Sequence, residues 1–331
     1  MTRIAVPRTA VIGAGYWGKN LVRNFQGLGA LAAIADTLEA NRTAMQAAYP
    51  GLRAEADPAS VINDPTIDAV AIATPAATHG ALTEQALLAG KHVFVEKPLC
   101  LDLAEAQKLA DLAKAQKRVL MVGHMLLYHP AFVALRGAVR AGAIGDLRYI
   151  YSTRLSLGKI RREENALWSF APHDVSMILQ LTGELPSKVS AQGQAFLSAG
   201  VADSTLSHMT FGERAQAHIF VSWLHPYKDQ RLVVVGSGGM IVFNDVAAGA
   251  DKLQLYRHAV GWDGDIPSVN KAEAEALPYD SGEPLNAECR HFLGCIAEGR
   301  QPDSDAAEGI RVLTVLDACQ RALNAGLPVS L

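Results

Sequence analysis

Residues 9–18 read TAVIGAGYWG, and residues 31–36 read LAAIAD. The first stretch is a short β-branched run that ends in Gly13, Gly15 and Gly18, a GxGxxG pattern, and passes directly into a helical pattern over 16–27. A strand before and a helix after give these glycines a meaning that the bare pattern lacks. Gly13 permits a tight turn, Gly15 lets the backbone approach a pyrophosphate, and Gly18 allows helix and sheet to pack closely, with the helix N-terminus facing the anion. The second stretch ends in Asp36, eighteen residues beyond Gly18. A carboxylate there accepts hydrogen bonds from an adenosine ribose and repels a 2′-phosphate, which favours NAD over NADP as the cofactor.

Outward from this turn, strand-like runs at 9–12, 31–35, 69–73, 92–95 and 119–122 alternate with helical patterns near 16–27, 39–48, 78–89 and 102–116. Asp102 with Glu105 forms a capping box, and Gly90 stops the 78–89 pattern. Such alternation predicts an α/β unit, a doubly wound parallel sheet of the Rossmann type, over residues 1–123. Beyond it the pattern changes. After a helix near 130–141, strand-like runs crowd together at 147–156, 187–193, 205–211, 215–223, 231–235 and 239–243. One helix is expected after Pro172, and two more near 285–298 and 306–325. Residues 124–331 are therefore expected to form an α+β domain with a mostly antiparallel open sheet.

The 331 residues suffice for two domains with their own cores, and 50% hydrophobic with 19% charged residues fits a globular chain. A net charge of -3 gives no electrostatic case for nucleic acid. The N-terminal residues run straight into a strand without an apolar signal segment, and no apolar run approaches a membrane span, so a cytoplasmic protein without membrane attachment is expected. Cys100, Cys289, Cys295 and Cys319 lack CxxC spacing and are expected as buried free thiols. The ten histidines include no HExxH pattern, so no metal site is expected.

Residues 93–100, VFVEKPLC, place Lys97 at the end of a run that reads as a core strand. A buried lysine is costly unless paired or used. At the C-terminal edge of a parallel sheet it borders the cofactor crevice, where desolvation can lower its pKa. Hydride transfer from a secondary alcohol to NAD requires removal of the hydroxyl proton, and Lys97 is suited to take it.

GAGYWG at 13–18, AIATPAATH at 71–79 and VFVEKPLC at 93–100 together resemble the Gfo/Idh/MocA oxidoreductases, NAD(P)-dependent enzymes of sugars and cyclitols. The resemblance implies cofactor contacts from Gly13, Gly15, Tyr16, Trp17, Gly18, Asp36, Thr74, Pro75, His79, Glu96 and Lys97. It also implies that Lys97 lies beside the nicotinamide and hydrogen-bonds the reacting hydroxyl, with Glu96 and Pro98 placing it and the peptide before the proline often cis. The family further carries an Asp four residues before a His at the start of a helix. Here LWSFAPHDVSMIL supplies His173, but Ser169 stands where the Asp is usual. Serine cannot carry the negative charge, so proton transfer is expected of Lys97 and His173 alone. Asp174 is expected to stabilise a helix N-terminus.

VGHMLLYHP places His124, Tyr128 and His129 after the last strand of the first domain, either lining the pocket or as satisfied structural groups. Residues 154–168, RLSLGKIRREENALW, are the densest basic stretch, with Arg154, Lys159, Arg161 and Arg162 partly offset by Glu163 and Glu164. Cations there suit a phosphorylated or nucleotide-linked substrate, while a solvated loop would have the same charge pattern. The second-domain motifs resemble the family branch that acts on nucleotide-linked sugars. That likeness implies oxidation of the sugar 3-hydroxyl of UDP-N-acetylglucosamine, feeding a downstream aminotransferase that makes a 3-amino sugar for lipid A or surface polysaccharide. Substrate contacts are then expected from His124, Tyr128, Arg154, Lys159, Arg161, Trp168, Ser169, His173, Lys228 and Arg231, with Trp223 nearby, and a homo-oligomer, dimer or tetramer, is expected. Two alternatives stay open: an oxidoreductase of a free sugar, inositol or deoxysugar, working in either direction, and a non-catalytic NAD-binding sensor.

Overall fold

A computed structural model of the chain describes residues 6–158, 160–162 and 164–331. The elements run β1 (Thr9–Ile12), α1 (Gly18–Gly27), β2 (Leu31–Ala35), α2 (Glu39–Ala48), β3 (Arg53–Glu55), α3 (Ala59–Ile62), β4 (Ala69–Ile72), α4 (His79–Leu88), β5 (His92–Glu96), α5 (Leu103–Ala115) and β6 (Leu120–Gly123). They continue with α6 (Pro130–Arg140), β7 (Leu147–Leu155), α7 (Ala166–Thr182), β8 (Lys188–Gln194), β9 (Ser204–Phe211), β10 (Ala215–Ser222), β11 (Asp229–Gly236) and β12 (Met240–Asn244). The last are β13 (Leu253–Tyr256), β14 (Ala259–Asp263), β15 (Ile266–Asn270), β16 (Ala274–Ala276), α8 (Pro284–Glu298), α9 (Ala306–Ala325) and β17 (Val329–Ser330). By contacts the chain divides into two units, one comprising the residues up to Tyr128 with Gly282–Leu313, the other His129–Ser281 with Thr314–Leu331. This differs from a single cut near residue 123, because the chain returns to the first unit at Gly282.

In the first unit six parallel strands lie in the order β3-β2-β1-β4-β5-β6. The strand order reverses between β1 and β4, and the loops at the carboxyl ends there are where ligands bind in doubly wound sheets. β1 and β4 are buried at every residue, and β5 from Val93 onward, as expected of strands covered by helices on both faces. Helix α8 joins this core through Phe292, whose ring meets Phe94 of β5 at 5.8 Å and Phe25 of α1 at 6.4 Å, both edge to face. Sequence periodicity misses the edge strand β3. Its three residues, RAE, carry no alternation and are defined by pairing with β2.

The second unit is built on nine strands in the order β16-β13-β12-β11-β7-β10-β9-β8-β17. Every pairing is antiparallel except β7 with β10. Helix α7 packs on β7, β9 and β10, while β14 and β15 form a separate hairpin. Contrary to the expected start after Pro172, α7 begins at Ala166, where the Asn165 side chain accepts a hydrogen bond from the Trp168 N–H at 3.2 Å. The Asn165 cap sets the helix start, and the burial of most of α7 offsets the cost of Pro172, which lies buried inside the helix. Asp174 consequently sits well within α7 and cannot serve as an N-terminal charge.

Candidate active site

The glycine turn is built as its spacing predicts. Gly13 has φ +87°, and a Cβ there would lie 2.8 Å from the Ala73 carbonyl oxygen. A Cβ on Gly18 would lie 1.8 Å from the Gly13 carbonyl oxygen, so only glycine fits. At Gly15 the nearest atom to a Cβ would be 3.6 Å away, which leaves that face of the turn open to a ligand. Asp36 is buried at the end of β2, and its Oδ2 accepts from the Ala14 N–H at 2.7 Å and from Asn41 Nδ2 at 3.0 Å. Its Oδ1 accepts from the Leu38 N–H at 2.8 Å. Helix α1 has no side-chain cap, and the positive end of its dipole favours an anion beside the turn. An open Gly15, an uncapped helix and an acidic residue at the end of β2 together fit NAD.

Tyr16 is 86% exposed beside the turn, while Trp17 reaches across to donate its indole N–H to Glu96 Oε1. Glu96 ends β5 and is buried; burial pushes its carboxyl up, opposed by the Trp17 bond and the Lys97 charge. Lys97 follows, half-buried, and the Lys97–Pro98 peptide is cis. Thr74 and Pro75 lie in the loop after β4, where the Thr74 and Thr78 hydroxyls pair at 2.7 Å. His79 is fully buried below that loop. Its Nδ1 lies 2.7 Å from the Pro98 carbonyl oxygen and its Nε2 2.9 Å from that of Thr74, so the ring sits between the two loops, the neutral form donating to one carbonyl and only the protonated form to both. Burial lowers its pKa.

After β6, His124 is 1% exposed, and its Nδ1 lies 2.6 Å from Glu308 Oε2. The Tyr128 hydroxyl pairs with Ser304 Oγ at 2.9 Å and accepts from the Ser304 N–H at 3.1 Å. Both side chains are thus held by the C-terminal segment of their unit. Sequence reasoning gave no role to Glu288, Ser304 or Glu308, all buried. Only contacts more than 170 residues apart in sequence reveal the last two.

In the second unit Arg154 is buried and bound to Asp174, Nε to Oδ2 at 2.7 Å and Nη2 to Oδ1 at 3.2 Å. Ser152 Oγ donates to Asp174 Oδ1 at 2.5 Å. Arg161 pairs with Glu164 at 2.9 Å, and Arg231 makes two bonds of 2.7 Å to Asp229. Lys159 and Glu163 lie outside the described residues. Trp168 donates its indole N–H to Gln320 at 3.0 Å, Ser169 is buried, and His173 is half-buried on α7. Lys228 is exposed, whereas Trp223 is fully buried and donates to Asp203. His129 caps α6, accepting from the Ala131 N–H at 3.0 Å. The four cysteines are buried and free.

The family model described as the oxidoreductase family, NAD-binding Rossmann fold, matches residues 7–124, and the GFO/IDH/MocA C-terminal domain model matches residues 132–242. The UDP-N-acetylglucosamine 3-dehydrogenase of Acidithiobacillus ferrooxidans is 32% identical over 92% of this chain and 94% of its own. The chain belongs to the GFO/IDH/MocA oxidoreductase family. It is an NAD-dependent oxidoreductase with a Rossmann domain, like its GFO/IDH/MocA relatives. A solved structure of the Acidithiobacillus ferrooxidans enzyme matches with a TM-score of 0.83 at 30% identity, covering 96% of this chain and 97% of the other. Within the same family, the scyllo-inositol 2-dehydrogenase (NAD(+)) of Bacillus subtilis is 28% identical over 98% of this chain and 96% of its own.

Proposed function

We propose that this protein oxidises the 3-hydroxyl of a nucleotide-linked N-acetylglucosamine, UDP-N-acetylglucosamine in the first instance, to the 3-keto sugar. The observation that carries the reading is the 32% identity to a UDP-N-acetylglucosamine 3-dehydrogenase across nearly the whole of both chains. Bound NAD supplies the hydride acceptor. The backbone at Gly13–Gly18 receives the pyrophosphate, and Asp36 receives the ribose hydroxyls while holding the turn through Ala14. Lys97 takes the hydroxyl proton, and His173 is the second residue proposed for proton transfer. Glu96, fixed by Trp17, and Pro98, whose carbonyl lies against His79, hold the lysine's backbone in place.

Secondary alcohol oxidation by NAD is uphill near neutral pH, so net oxidation proceeds only when the keto sugar is consumed. An aminotransferase that converts it to a 3-amino sugar is the proposed downstream partner. A second reading, oxidation of a free sugar or inositol, draws support from the pairing of Arg154, Arg161 and Arg231 with carboxylates. Cations so engaged have less to give a diphosphate. NADH formation with nucleotide-linked and free sugars separates the two readings.

A further inference from the structure

Glu288 lies on α8, 0% exposed, and neither carboxylate oxygen has a hydrogen-bond partner among the described residues. An isolated charge in such a place is very costly, so an acid there keeps its proton. Its position relative to β5 follows from the packing already described. Phe94 and Glu96 stand two apart on one face of β5, and Glu288 and Phe292 stand four apart on one face of α8. The Phe94 and Phe292 rings touch at 5.8 Å, which places both acids in the same layer between β5 and α8, within an aromatic core. Glu96 is held there by Trp17 and lies over Gly123, where an added Cβ would come within 2.9 Å of Glu96 Oε2.

Two carboxylates buried in one dry layer do not both hold a charge at neutral pH. Burial raises both, Glu288 well above the ordinary range, with Glu96 adding to the effect. Only Glu96 has the Trp17 donor, Lys97 and His124 to favour its charge. The proton therefore resides on Glu288 and the charge on Glu96. Other titratable groups facing the pair are His124 with Glu308, Cys289 on α8, and Tyr128. Burial keeps Cys289 and Tyr128 neutral, so Glu288 is the acid whose charge changes as pH rises.

We propose that Glu288 is a positioning residue for proton transfer at Lys97: buried in the same layer as Glu96, it keeps a single negative charge beside the lysine, and its ionisation closes the pH range in which Lys97 accepts the substrate's proton. The proposal rests on reading Lys97 as the proton acceptor. A second negative charge stabilises the ammonium form, so the free amine becomes harder to reach once Glu288 ionises.

The test uses the full chain without sugar or cofactor. Infrared spectra report protonated carboxyl groups, and ¹⁵N-lysine NMR, assigned with Lys97→Met, reports the Lys97 titration. Glu288→Gln should remove a protonated-carboxyl band present at neutral pH and shift the Lys97 midpoint downward. Glu288→Asp should retain both the band and the midpoint, which a merely structural role would not require. No loss of band in Glu288→Gln, or an unmoved Lys97 midpoint, overturns the proposal. Should Glu288→Gln not fold, Glu96→Gln reads the same coupling, because the band should then vanish at lower pH than in the unmodified protein. An unchanged midpoint there overturns it equally. A Lys97→Met enzyme with normal turnover would remove Lys97 from the reaction without altering either spectrum, so the two failures are told apart.

Discussion

Asp36 Oδ2 accepts a 2.7 Å hydrogen bond from the Ala14 N–H, so the acid expected to read the ribose also fixes the glycine turn that receives the pyrophosphate. Asp36→Ala should weaken NAD binding and, by removing the repulsion of a 2′-phosphate, narrow the preference over NADP. Fluorescence titration with both cofactors measures this. Equal affinities in the unmodified protein would contradict the assignment.

Lys97→Met preserves the stem and removes the proton acceptor. Turnover should fall about 10²-fold or more, with NAD affinity nearly intact. His173→Ala should also be severe and Ser169→Ala mild, since a buried serine supplies no charge. Steady-state kinetics with separate cofactor titrations distinguish lost chemistry from lost binding.

Arg154 and Asp174 form a buried pair, so removing one partner strands the other's charge. Asp174→Ala should destabilise the protein by about 3–5 kcal/mol, while replacing both by apolar residues of similar volume should cost far less. Denaturant unfolding of the two single variants and the double variant measures the coupling. Were Arg154 chiefly a substrate contact, Arg154→Ala would raise KM at unchanged stability.

These residues show what the sequence carries and what it omits. The turn at Gly13–Gly18 is legible because its chemistry is local: a strand, three glycines and a helix within ten residues. The strands of the first sheet other than the edge strand β3 are legible for the same reason, being continuous apolar runs. Arg154 reads as a free cation because its partner Asp174 is twenty residues away, and burial is a tertiary property. Glu288 and Glu308 are unreadable in the sequence, since α8 and α9 look like ordinary amphipathic helices until the chain's return to the first unit is known. The start of α7 at Asn165 is hidden because Pro172, a residue that usually marks a helix start, lies within the same stretch.

Glu288 has a pH signature in stability as well. Its folded pKa is raised above the unfolded value, so between the two the folded state binds more protons and stability falls as pH rises. The loss begins near the unfolded value of about 4.3 and amounts to at most about 1.4 kcal/mol per pH unit. Glu288→Gln removes this slope, so the variant should gain stability relative to the unmodified protein progressively from about pH 5 upward. Urea unfolding across that range checks it; parallel curves would show that Glu288 is charged when folded.

The most direct measurement is NADH formation with UDP-N-acetylglucosamine, free N-acetylglucosamine and scyllo-inositol, each with and without an aminotransferase and an amino donor. Two charge-assisted contacts to a diphosphate, roughly 1.5–3 kcal/mol each, should favour the nucleotide sugar by about two orders of magnitude or more in kcat/KM. The aminotransferase should pull that reaction forward. Comparable kcat/KM for free N-acetylglucosamine or the inositol, or no response to any UDP-sugar, would contradict the account.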